Sequence, residues 1–106
     1  MNTYDLYGVK NCSLTLARAQ IEKLTGILLE ERDSIYHGGI YYFYGDSASE
    51  HFVLKSNVDP FDGEPVEQAF LDSPVLFYVN ATNRSLDLMD SLKIDEGFSL
   101  LRHEVF

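Results

Sequence analysis

The sequence predicts an α+β fold: a single mixed, largely antiparallel sheet with two helices, order β-α-β-β-β-β-α-β, in one domain over residues 1–106. Three observations predict it. Short segments rich in β-branched and aromatic residues are punctuated by Gly, Pro, Asn and Asp. Two other segments place apolar residues at helical spacing instead. No repeat, low-complexity stretch or linker divides the 106 residues, and 45 % apolar content is enough for one buried core.

Residues Thr3–Val9 read as the first strand, with Tyr4, Leu6 and Gly8 on one face and Asp5, Tyr7 and Val9 on the other. A helix follows. Ser13 is placed to cap it, since its hydroxyl accepts from a free amide one turn on. Leu14, Ala17, Ile21 and Leu24 form its apolar stripe, Arg18, Glu22 and Lys23 its solvated face, and Gly26 its end. Ile27–Tyr36 is expected as a charged, peripheral strand. After the Gly38-Gly39 turn come the aromatic strand Ile40–Tyr44, a turn at Gly45-Asp46-Ser47 and the strand Glu50–Lys55, which together form an antiparallel meander.

Pro60 and Pro65 break the next stretch, and Val66–Leu71 reads as a short helical turn. Val75–Val79 has no charged residue and is expected at the centre of the sheet, covered on both faces. Thr82 or Asn83 is placed to cap a second helix, Ser85–Leu92, whose apolar residues are Leu86, Met89 and Leu92. Phe98–Val105 closes the chain as the last strand.

The charge is one-sided. Seventeen acidic residues face eight basic ones, for a formal net charge of −9. Between Ser56 and Asn83 stand Asp59, Asp62, Glu64, Glu67 and Asp72, without a single Lys or Arg. Such a field repels nucleic acid and anionic lipid, and it attracts a basic protein. Phe61 and Phe70 interleave with these charges, and the two prolines stiffen the segment, so it offers apolar anchors inside an acidic rim. In the aromatic strand, Tyr42 and Tyr44 share a face with Ile40, while Tyr41 and Phe43 share the other. One face enters the core and the other is expected to offer contact to a partner.

Chemistry finds little footing. The three histidines, His37, His51 and His103, have no metal-ligand spacing, and no metal or other cofactor is expected. His51 and His103 read as strand surface positions. Cys12 is the single cysteine, so no intrachain disulfide forms, and it reads as a small residue at a loop–helix junction. Nucleophile-elbow, phosphate-loop and dinucleotide fingerprints are absent from the sequence. No run approaches the length of a membrane span and no secretory leader pattern opens the chain, so a cytoplasmic location is expected.

Tyr-Asp-Leu-Tyr-Gly-Val at 4–9, Ser-Leu-Thr-Leu-Ala-Arg at 13–18, Tyr-His-Gly-Gly-Ile-Tyr-Tyr at 36–42, Pro-Val-Leu-Phe-Tyr-Val-Asn at 74–80 and Leu-Leu-Arg-His-Glu at 100–104 span most of the chain. With its size and acidity, the chain resembles the bacterial immunity proteins that neutralise polymorphic or contact-dependent growth-inhibition toxins. The resemblance implies a stoichiometric binder without enzymatic activity, holding the C-terminal domain of a toxin, commonly a nuclease with a basic surface. No site transfers from it by position. The expected contact residues come from charge and aromatic patterning: Asp59, Phe61, Asp62, Glu64, Glu67, Asp72, Tyr41 and Phe43. The alternative is a non-enzymatic adaptor or homo-oligomeric assembly module using the aromatic strand, and a homodimer is open in either case.

Overall fold

The computed structural model describes residues 2–10, 13–34, 39–58, 63–94 and 97–106. The expectations placed on Cys12, Tyr36, His37, Asp59, Pro60, Phe61 and Asp62 lie outside these residues. The elements run β1 (Thr3–Val9), α1 (Leu14–Thr25), β2 (Glu30–Ser34), β3 (Gly39–Gly45), β4 (His51–Ser56), β5 (Val75–Thr82), α2 (Ser85–Leu92) and β6 (Phe98–Val105). A 3-10 turn at Gln68–Phe70 lies between β4 and β5.

The strands form one six-stranded sheet in the order β2-β3-β4-β5-β1-β6. Every strand pairing is antiparallel, so the mixed sheet expected from the sequence is an all-antiparallel one. The reason lies in α1. It carries the chain from β1 across three strand positions to β2 at the far edge, so it never links two parallel neighbours. From there β2, β3 and β4 follow as the expected meander.

Both helices cover one face. Tyr7 and Val9 of β1, Phe52 and Leu54 of β4, and Val75, Phe77 and Val79 of β5 pack with Ala17, Ile21, Leu88 and Leu92. Phe52 and Phe77 meet edge-on with centroids 5.8 Å apart at 78°, a geometry that suits the ring quadrupoles. β5 is covered on both faces as expected: Leu76, Phe77 and Val79 are all fully buried.

Ser13 caps α1 by accepting from the Leu16 amide at 3.2 Å. Gly26 ends the helix at φ 75°, a left-handed conformation that side chains other than glycine rarely adopt. Arg18 and Glu22 depart from the solvated face expected for them. Glu22 accepts from the Leu29 amide at 2.9 Å and Arg18 donates to the Leu29 carbonyl at 3.0 Å. Arg18 also lies 4.7 Å over the Tyr42 ring. The pair fixes the chain as it leaves α1 and enters β2.

α2 also differs from expectation. Its N-cap is Arg84, with no capping side chain. Thr82 instead turns inward, donating to Glu50 at 2.6 Å and accepting from the Arg84 amide at 3.2 Å. A bulge causes this turn. β1 pairs Thr3 with Thr82 and Asp5 with Val79, so β5 carries one extra residue, and Ala81 takes φ 54°. Ser85, Leu88 and Leu92 are the buried face of α2, while Leu86, expected inside, is 73 % exposed. Ser85 sets this rotation by donating to buried Asp5 at 2.6 Å.

The Tyr7 hydroxyl is buried with no hydrogen-bond partner among the described residues, and burial and the nearby Asp5 charge hold its pKa far above the usual phenol range. Tyr7→Phe removes that stranded group and should raise stability by about 1 kcal/mol in a urea titration. A loss instead would mean that the hydroxyl is satisfied.

Arg84 grips Glu50 with two bonds, at 2.8 and 3.0 Å. Burial alone would raise the Glu50 pKa, but the bonds from Arg84 and Thr82 and the Arg84 charge outweigh it and hold the pKa below its ordinary 4.5. A carboxylate depressed in the folded state stabilises above its unfolded pKa and loses that contribution as pH falls through the folded value. Glu50→Gln should therefore melt below the wild type at neutral pH. The gap should close as pH falls below 4.5, and a gap independent of pH would contradict this origin.

Candidate binding surface

The face opposite the helices carries the even-numbered side chains of β1 and, up to the bulge, of β5. Leu6 is 1 % exposed and Leu76 fully buried there, although both helices lie on the other side. The cover is residues 63–74, the described part of the acidic region between β4 and β5. It lies across the sheet as a strap, and three contacts hold it.

The first contact is Asn57, which is itself buried. Its side-chain nitrogen donates to the carbonyls of Phe70 at 3.1 Å and Ser73 at 3.0 Å, and its side-chain oxygen accepts from the Glu67 amide at 2.8 Å. Its backbone amide donates to the Pro74 carbonyl at 2.9 Å. One amide side chain thus substitutes for a secondary-structure ladder along 67–73, where the described residues form no strand.

The second contact is the Glu67 carboxylate. Its Oε1 accepts from the Tyr78 hydroxyl at 2.9 Å and from Arg102 at 3.2 Å, which ties the strap to β5 and β6. Burial and this carboxylate push the Tyr78 pKa well above the phenol range. The third is a close approach at Gly8. A Cβ built there would lie 2.2 Å from the Ser73 hydroxyl, so only glycine lets the strap settle on β1.

The expected contact residues divide accordingly. Glu64 and Asp72 are exposed on the strap. Glu67 points inward as a clasp, with 20 % of its side chain exposed. Tyr41, expected on an available face, is 9 % exposed. Phe43 is half-buried between the Arg32 guanidinium, 4.1 Å from its centroid, and the His51 ring at 6.0 Å. β3 is an interior strand, pairing with β2 along Gly39–Phe43 and with β4 along Tyr42–Gly45.

Beside the strap is a cavity of about 600 Å³ lined by Tyr4, Leu6, Tyr78, Asn80, Arg102 and Phe106, among others. Tyr4 and Phe106 meet edge to face at 5.4 Å. Arg102 spans two carboxylates, Glu67 at 3.2 Å and Glu104 at 3.3 Å, so its charge is internally balanced. Sequence reasoning missed Asn57, Arg102 and this cavity. The signal the sequence offers for the cavity is the shared face of Tyr4 and Leu6.

On the helix side Asp5 is 2 % exposed and bonds both Ser85, at 2.6 Å, and His103 Nδ1, at 2.5 Å. The residue types are those of a hydrolytic triad, but the order is wrong for one. The carboxylate stands between hydroxyl and imidazole, and Ser85 donates its proton to Asp5, so His103 is not placed to activate it. Among the described residues no group of three or more His, Cys, Asp or Glu is arranged to hold a metal. No helix among them is long and apolar enough to cross a membrane.

No protein-family model matches the chain, and comparison with curated proteins finds no match. The fold and this surface define an acidic α+β domain with a strapped sheet face.

Replacing Asn57 with Ala strands the Ser73 carbonyl and the Glu67 amide and removes one of the two bonds to the Phe70 carbonyl. It should cost about 2–3 kcal/mol by denaturant titration and should speed proteolysis between β4 and β5. Cleavage elsewhere first would show that the strap is held by other means.

Proposed function

We propose that this chain is a cytoplasmic, non-catalytic immunity protein that binds a basic toxin domain, most simply a nuclease, and neutralises it stoichiometrically. The observation that carries the reading is the acidic strap, a charged segment pinned against the sheet by Asn57 and Glu67. A pinned strap presents its charges with little ordering cost on association. Glu64 and Asp72, together with Asp59 and Asp62, supply the field that steers a cationic surface toward it. The formal charge of −9 acts in the same direction over longer range. Phe61 and the aromatic cavity beside the strap supply the apolar contact that slows dissociation.

The test is stopped-flow association with the toxin domain that co-purifies from the native host. Glu64→Lys with Asp72→Lys should slow association about tenfold at low salt and flatten its salt dependence. An unchanged rate would remove the strap from the encounter surface.

A further inference from the structure

The two sheet edges are built differently. β2 is short and presents exposed Glu30, Glu31 and Asp33, charges that discourage edge pairing. β6 has eight residues and is flanked by exposed apolar side chains: Leu100 at 40 %, Val105 at 48 % and Phe106 at 72 %. Leu86 of α2, 73 % exposed, lines a recess with Thr3, the strand partner of Val105.

Among the described residues no strand pairs with the outer side of β6. Asn2 and Phe106 exchange both amide–carbonyl bonds, at 3.1 and 2.8 Å. Alternation along an antiparallel ladder then turns the amides and carbonyls of Val105 and His103 outward, away from β1. Leu101 is an extra residue, because Leu6 pairs with Arg102 and Tyr7 with Leu100.

From Leu100 to Phe106 the side chains run apolar, apolar, basic, His, acidic, apolar, apolar. About His103 the pattern is symmetric in hydrophobicity and opposite in charge. That is what an antiparallel strand needs to pair with its own copy.

We propose that β6 is a homodimerisation edge, joining two copies antiparallel about a two-fold axis at His103 into one continuous sheet. Arg102 then faces Glu104 of the second copy, and this pair occurs twice. The two His103 residues exchange backbone bonds at the axis. The bulge at Leu101 confines the strict ladder to these central positions, and the flanking apolar residues pack by side chain. Arg102 and Glu104 balance locally, so the edge escapes the repulsion that the net charge imposes elsewhere. The proposal is independent of the partner met by the strap.

Sedimentation velocity from about 1 to 300 µM, the range expected for a small edge interface, should show the 12.1 kDa mass doubling. Arg102→Glu and Glu104→Arg should each remain monomeric, since each sets like charges opposite one another twice. Mixed in equal amounts, the two variants should form a heterodimer, because every cross-strand pair is then complementary. In the wild type, the His103 amide should exchange more slowly at high concentration than at low. A wild type monomeric throughout, single variants that dimerise as it does, a mixture that stays monomeric, or exchange independent of concentration would each overturn the proposal.

Discussion

The carboxamide of Asn57 holds the second layer of this protein in place. A sheet needs both faces covered if its central strands are wholly apolar, and β5 is such a strand. The helices supply one cover. The other is an irregular segment whose backbone polar groups have no ladder to join, and leaving them unpaired beneath a packed layer costs more than the packing returns. Asn57 removes that conflict by donating twice and accepting once along 67–73. Aspartate, with no donors, or leucine, with no polar atoms, would fail at the same position.

That constraint changes the meaning of the acidic block. As a string of residues it is uniformly anionic. Once laid across the sheet it separates into charges with different work. Glu67 is consumed internally by Tyr78 and Arg102. Glu64 and Asp72 remain on the outside. The strap therefore sets which carboxylates a visiting cation meets first, and it holds them without the chain entropy of a free acidic loop.

Local patterns were legible in the sequence, and non-local partnerships were not. β1, α2 and β6 fall where periodicity places them, and Ser13 and Gly26 bound α1 as their chemistry dictates. These features depend on neighbours within a turn or on a period-two pattern. Glu67 reads as a partner-facing charge, and Arg18 and Glu22 as solvated ones, because the groups that bond them lie elsewhere in the chain. Thr82 read as a helix cap because the bulge at Ala81, which swings it toward Glu50, has no sequence signature such as glycine. Tyr41 and Phe43 read as available because period-two alternation reports which residues share a face, and not whether a second layer covers it. Within the candidate surface, the acidic block and Pro65 were visible from the start, while Asn57 and Arg102 were not.

The buried Asp5 completes the argument about rigidity. Its two partners come from different elements: Ser85 opens α2, and His103 lies in β6. A carboxylate taken out of water requires hydrogen bonds on both oxygens, and these two residues supply one each. The consequence reaches beyond β1 itself. A sheet's outermost strand is ordinarily free to fray, since only one neighbour holds it. Here the outer strand is fastened to the helix layer through Asp5 and His103, and to the strap through Arg102 and Glu67. β6 is thus anchored from both faces of the sheet while, among the described residues, no strand pairs with its outer side. Mere peripheral position would leave that edge frayed, whereas this bracing keeps it extended and presentable.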